Sequence, residues 1–195
     1  MTTKRNVLTS GVGVVVLAAL LKFTPYFEGN KNYVYLDPVG KPTWCTGITN
    51  NTLGKKIVVG KTYFTDEECG QLLKEELIKH NQPFEKLSFD IAPEPWIGLL
   101  DFHFNTGALG GNAGIAVKLR NQDIHGACQK ILEYRYIKVK GKLLDCSIKA
   151  NKCTGIWTRR YAENRVCLGQ ITVDEFLTSV GALPTGGQTN EINVN

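Results

Sequence analysis

The sequence has no cysteine pair at C-x2–4-C spacing, no run of five basic residues, no aromatic-basic repeat and no apolar stretch of eighteen residues. Without the cysteine spacing, a zinc-finger type of metal site is excluded. Without the basic runs and repeats, the usual nucleic-acid-binding classes are excluded too, and no nucleic-acid partner is expected. Histidine is scarce. His80, His103 and His125 are scattered one to each of three predicted helices, which leaves a zinc amidase without convergent ligands. No internal repeat is visible.

What is present describes a globular protein. The 195 residues are 43% hydrophobic and 21% charged, enough for one domain or for two lobes sharing a core. The net charge of +5 reads as a moderate excess spread along the chain, and it suits an anionic polymer. Six cysteines (Cys45, Cys69, Cys128, Cys146, Cys153, Cys167) form an even set. They read as disulfides formed in an oxidising compartment, with six buried thiols in a cytosolic protein as the alternative.

Lys4 and Arg5 precede an apolar run, Val7–Leu21, which ends at Lys22. A basic flank before an apolar run is an export signal that holds the N-terminus in the cytoplasm. As a helix the run reaches ~22 Å, short of a ~30 Å hydrocarbon core. Thr9, Ser10, Gly11 and Gly13 dilute it further. A cleaved signal peptide, a weak anchor that later leaves the bilayer, and a buried core helix all remain open. The weak anchor fits both length and polarity.

Pro25 is expected to end this segment. Residues 31–49 read as a hairpin interrupted by Pro38-Val39-Gly40 and Pro42. Thr65-Asp66-Glu67-Glu68 is a capping box opening a helix through about His80. Pro93 and Pro95 start a further helix, Trp96–Asn105, stopped at Gly107, and others are predicted at Ala113–Arg120, Asp123–Tyr136, Gly155–Leu168 and Val173–Val180. Residues 137–154 read as a lysine-rich irregular connection, and the tail from Pro184 as frayed. The outline is a small N-terminal lobe with a hairpin, a connecting helix and a larger helical lobe, with a cleft between the lobes. It divides into an N-terminal segment (1–22), a catalytic domain (23–182) and a tail (183–195).

Glycosidic cleavage needs one carboxylic acid to protonate the leaving oxygen and an opposed carboxylate to serve as nucleophile or to activate water. Glu28, Asp37 and Thr43 stand in the pattern Glu-x8-Asp-x5-Thr. Around them, Phe27-Glu28-Gly29 and Thr43-Trp44-Cys45-Thr46-Gly47 resemble the phage-type lysozymes of glycoside hydrolase family 24. Phe104-Asn105-Thr106-Gly107, Lys118-Leu119-Arg120-Asn121 and Gly155-Ile156-Trp157-Thr158-Arg159-Arg160 with Glu163 continue the resemblance in family order. One departure is Gly47-Ile48-Thr49, where many relatives carry a histidine after the glycine.

The resemblance implies an α+β, mostly helical, lysozyme-like fold. It also implies hydrolysis of the muramic acid–glucosamine bond of bacterial peptidoglycan with inversion and without a cofactor. Glu28 would be the general acid, Asp37 would orient or activate water, and Thr43 would help hold that water. Asn105, Arg159 and Arg160 would face the substrate, with one of the two arginines approaching Glu28. The N-terminal run then resembles the anchor of signal-anchor-release endolysins, tethered to the host inner membrane and released to the periplasm as a monomer. The fold so implied suggests the pairs Cys45–Cys69 and Cys128–Cys167, while Cys146–Cys153 rests on proximity alone. Trp44, Trp96 and Trp157 are read first as core residues. A tethered binding module without turnover, and a peptidoglycan amidase or peptidase (with Cys45 as a nucleophile in one version), are the competing functions.

Overall fold

The computed structural model describes residues 5–37 and 40–183. Its first element is a single helix, α1 (Val12–Glu28), which passes straight through Pro25. Val16, Leu17, Leu20, Phe23 and Thr24 form one buried stripe at helical spacing, while Val12, Val14 and Val15 stay exposed. Pro25 was expected to stop the segment. It is carried because Phe23, Tyr26 and Phe27 pack around Phe176 with ring centroids 5.3–5.7 Å apart, which offsets one missing backbone bond. The helix ends at Gly29, whose N–H donates to Pro25 O at 2.9 Å.

Residues ahead of α1 also belong to the body. Leu8 is fully buried, and Asn6 acts as a clamp. Its side-chain amide donates to Phe84 O and Phe89 O and accepts from Ile91 N, each at 3.0 Å. Buried Asn81 in turn donates to Asn6 O at 2.8 Å and accepts from Trp96 Nε1 at 2.8 Å. Residue 22 therefore lies inside one packed helix. Among the described residues no helix is long and apolar enough to cross a membrane.

Strands β1 (Lys31–Leu36) and β2 (Pro42–Cys45) pair antiparallel, with Tyr35 opposite Thr43. Pro38 and Val39 of the expected turn lie outside the described residues, as do Lys4 and residues 184–195 of the tail. Helix α2 (Asp66–His80) begins with both halves of the Thr65–Glu68 capping box formed, and a short α3 (Gln82–Glu85) follows. Central helix α4 (Pro93–Thr106) opens at Pro93, the first of the two prolines expected to start it, because a missing N–H costs nothing in the first turn. It closes on the left-handed Gly107. Next come α5 (Gly114–Arg120) and α6 (Ile124–Lys130), then α7 (Thr154–Cys167) and α8 (Val173–Ser179). At the α4–α7 crossing only a glycine fits, since a Cβ on Gly98 would stand 2.5 Å from Glu163 O.

Three expectations need correction. The helix predicted over Asp123–Tyr136 stops at Lys130 and finishes in one 3-10 turn, although Asp123 does cap it by accepting from Gly126 N at 2.9 Å. The stretch expected to be irregular contains a second hairpin, β3 (Tyr136–Val139) and β4 (Lys142–Asp145). Lys140 and Gly141, both at positive φ, make its two-residue turn. The histidines also are not all scattered, because His80 and His103 stack edge to face with ring centroids 5.4 Å apart. All three disulfides join the expected partners, Cys45–Cys69, Cys128–Cys167 and Cys146–Cys153. Cys45 is therefore no thiol nucleophile.

His103 gives the fold an acid sensitivity. Its Nδ1 accepts from Leu109 N at 3.2 Å, which requires that nitrogen to be unprotonated. Burial, and secondly the nearby His80, lower its pKa to about 4. An unfolded histidine takes up its proton near ~6.5. The unfolded state therefore binds the proton first, and stability falls as pH drops from about 6.5 towards about 4. Thermal melts at intervals between neutral pH and pH ~5, above the ordinary carboxylate range, should show Tm falling, and His103→Gln should flatten that slope. An unchanged slope in the variant would remove His103 as its source.

Candidate active site

The site is assembled from one helix end and two facing helices. Glu28 is the last residue of α1, so packing of the helix body fixes where its carboxylate stands. Its side chain is 23% exposed. It forms, with Asn105, the wall shared by two cavities of about 310 and 560 Å³. The first cavity is also lined by Thr46, Gly47, Glu76 and His80, the second by Tyr26, Thr154, Gly155 and Thr158. Together they form an open cleft along both sides of one carboxylate.

Behind Glu28 lies a buried charge network. Arg159 Nη1 donates to Glu28 Oε1, which settles which of the two arginines approaches the acid. Arg159 Nε reaches Asp101 Oδ2 at 3.1 Å and Glu163 Oε1 at 3.0 Å, and its guanidinium lies over the Phe27 ring at 5.4 Å. Asp101 Oδ1 accepts from the buried Thr24 hydroxyl at 2.7 Å. Arg160 Nη1 lies 2.8 Å from Glu163 Oε2 as an ion pair, without the alignment of a hydrogen bond. Arg160 Nη2 donates to Asn105 Oδ1, and Asn105 Nδ2 donates back to Glu28 Oε1 at 3.4 Å. Two arginines and one amide thus orient the Glu28 carboxylate.

The charges inside this network are unequal. Burial favours neutral forms, and it raises the Glu163 carboxyl well above its ordinary value against the pull of Arg160; shared hydrogen bonding with Asp101 pushes the same way. Burial alone would lower Arg159, but Asp101, Glu163 and Glu28 outweigh it and raise its pKa. Arg159 is therefore a fixed cation, while burial inclines Glu163 towards its neutral form.

Asp37 and Thr43 stand apart from that cluster, on the hairpin. The Asp37 carboxylate accepts from Lys41 N at 2.8 Å, and the buried Thr43 hydroxyl donates to Lys41 O at 3.0 Å. Neither lines the two cavities around Glu28. Tyr35 connects the two groups. It faces Thr43 across the strands, and its phenol is raised first by burial and then by the charges of Asp37 and Glu28. Sequence reasoning missed Tyr35, Thr24 and Asp101, and it gave Glu163 no role. Asp101 carried a signal of its own, a lone acid inside the apolar run Ile97–Phe104.

Among curated proteins, none matches this chain by sequence. The phage lysozyme family model matches residues 25–163. Several solved structures share the fold. An endolysin from Escherichia coli O157:H7 phage FAHEc1 superposes with a TM-score of 0.65 at 20% identity, covering 84% of this chain and 96% of that one. The muramidase domain of SpmX from Asticcacaulis excentricus gives 0.63 at 16%, covering 81% and 97%. The active form of the P1 phage endolysin Lyz gives 0.60 at 16%, covering 83% and 96%. The matched span runs from the proline three residues before Glu28 to Glu163, the whole of the carboxylate–arginine network but Thr24, and the chain belongs to the phage lysozyme family, glycoside hydrolases that cleave peptidoglycan.

Proposed function

We propose that this chain is an endolysin that hydrolyses the β-1,4 bond between N-acetylmuramic acid and N-acetylglucosamine and so lyses the bacterial host. The observation that carries the reading is Glu28 in the wall between two cavities, gripped from behind by Arg159 and Asn105. A glycan strand lying along the cleft would pass over that carboxyl, which donates a proton to the leaving oxygen. Asp37 on the facing hairpin orients or activates the attacking water, with Thr43 beside it. Asn105 and Arg160 border the same cleft as substrate contacts. No step calls for a metal or cofactor.

The test is a zymogram on purified cell walls with reducing ends counted in parallel. Glu28→Gln should lose ~10²–10⁴ in rate, as removal of a general acid does. Asp37→Asn should be comparably impaired, and Thr43→Ala less so. More than a tenth of wild-type activity in Glu28→Gln would overturn the assignment. Wild-type binding without clearing favours the non-catalytic module. Release of new amines without reducing ends favours an amidase.

In the same reading, Val7–Leu21 is a releasable anchor in the host inner membrane. Support comes from the two environments this stripe can occupy. Leu17 and Leu20 are core residues of the folded enzyme and cannot lie in lipid at the same time. A tethered chain therefore lacks the packing that positions Glu28, and release to the periplasm completes the site. Replacing Gly11 and Gly13 by leucine should hold the protein in the membrane fraction and delay lysis, since leucine contributes up to ~0.6 kcal/mol to insertion. The folded form opposes the change as well, because a Cβ at Gly13 would stand 2.0 Å from Val7 O and Gly11 sits at φ +52°. A mature chain beginning near residue 20 would instead make the segment a discarded signal peptide.

A further inference from the structure

The formal charge of the chain is not spread along it. Residues 135–152 contain Arg135, Lys138, Lys140, Lys142, Lys149 and Lys152 against the single acid Asp145, a net +5 that equals the net charge of the whole chain. The remaining residues balance. Asp145 is already engaged, since Arg135 Nε donates to both of its oxygens at 3.1 Å. The five lysines are exposed, and among the described residues none of them makes an ion pair. Positive charge is therefore concentrated on the β3–β4 hairpin and the loop closed by Cys146–Cys153.

The same surface displays apolar side chains. Leu143 is 69% exposed, and Tyr136, Val139 and Ile148 are exposed in the same stretch. In the register of the hairpin, Lys138 faces Leu143 on one side of the ribbon and Val139 faces Lys142 on the other, so both sides of its tip pair a lysine with an apolar neighbour. Of the two remaining pairs, Ile137 with Leu144 is half-buried and Tyr136 stands opposite Asp145. Lys140 and Gly141 form the tip. The disulfide to Cys153, at the start of α7, holds the loop in place.

We infer that this hairpin is a docking surface for an anionic phospholipid bilayer, separate from α1 and independent of the catalytic reading. Charge complementarity selects an anionic partner. The interleaved aliphatic residues select lipid over polysaccharide. Leucine, valine and isoleucine enter the headgroup–acyl boundary while adjacent lysines reach the phosphates, whereas sugars are gripped by aromatic faces and hydrogen bonds.

Co-sedimentation of the full chain with phosphatidylglycerol-containing and pure phosphatidylcholine vesicles tests this, with purified sacculi as a parallel target. The wild type should bind the anionic vesicles and not the neutral ones, and added salt should weaken the binding. Combining Lys138→Gln, Lys140→Gln and Lys142→Gln should reduce that binding ~tenfold or more, because each near-surface cation contributes. Leu143→Ser alone should weaken it with all charges retained. Both variants should keep the wild-type Tm and vesicle-free hydrolysis of cell walls. Equal vesicle binding by wild type and triple variant would overturn the proposal by assigning the affinity to α1. Loss of sacculus binding or of hydrolysis in the triple variant, with vesicle binding retained, would overturn it in favour of a cell-wall contact.

Discussion

A chain lacking residues 1–22 should fail to fold, even when exported by a cleavable signal. The deletion removes Leu8, Val16, Leu17 and Leu20, all buried, and truncating one such side chain to alanine costs ~2–5 kcal/mol. Four together match or exceed the ~5–15 kcal/mol that holds an ordinary domain. The Asn6 clamp goes too, leaving the carbonyls of Phe84 and Phe89 and the N–H of Ile91 without their partner. Circular dichroism should show no cooperative thermal transition for the truncated chain, and lytic activity should be absent because Glu28 has lost the helix that carries it. A folded, active truncated enzyme would mean that these contacts are dispensable. The segment therefore has one sequence with two possible surroundings, and in the folded form it is as much a part of the lysozyme body as α4.

That duality is why the N-terminus was the least legible part of the sequence. An apolar run of fifteen residues scores alike for lipid and for protein interior, since both reward removal of the same side chains from water. What separates them is the Asn6 clamp, whose partners lie 78 to 85 residues away. Local signals did better. The Thr65–Glu68 capping box and the Gly107 stop are written in adjacent residues, and both formed where the sequence placed them. The second hairpin was hidden because lysine on both faces masks the two-residue alternation of a strand, leaving only Lys140-Gly141 as a turn signal. At the site, Glu28, Asn105 and the arginine pair could be named from motif order, but which arginine meets Glu28 could not. Adjacent helical residues point about 100° apart, so only the docking of α7 on α4 decides it. Asp101 and Glu163 become intelligible only as partners of Arg159 and of each other.

Arg159→Met should destabilise the protein by ~3–5 kcal/mol, whereas Glu163→Gln, a change at a side chain buried just as deeply, should cost less. The contrast follows from the charges in the network. Arg159 is the cation for Asp101, Glu163 and Glu28 together, so removing it leaves buried carboxylates without their counter-charge. Burial raises the Glu163 carboxyl well above its ordinary value, so a neutral glutamine removes a charge that the site disfavours, at the cost of turning an amide N–H towards one of the two arginines. The sign with pH is fixed by the same shift. A carboxyl raised in the folded state binds its proton more tightly folded than unfolded. Its stabilisation is fully present below the unfolded pKa of ~4.3 and is lost as pH rises through the folded value. Glu163→Gln should therefore flatten the decline in Tm as pH rises above ~4.3, and a decline as steep as in the wild type would assign it to another group. Arg159→Lys separates stability from function. Its single ammonium restores a buried positive charge, but it cannot present Nε to Asp101 and Glu163 while holding Nη1 on Glu28. That variant should recover part of the melting temperature lost in Arg159→Met and still clear cell walls poorly, because Glu28, the proposed acid, is no longer held in position.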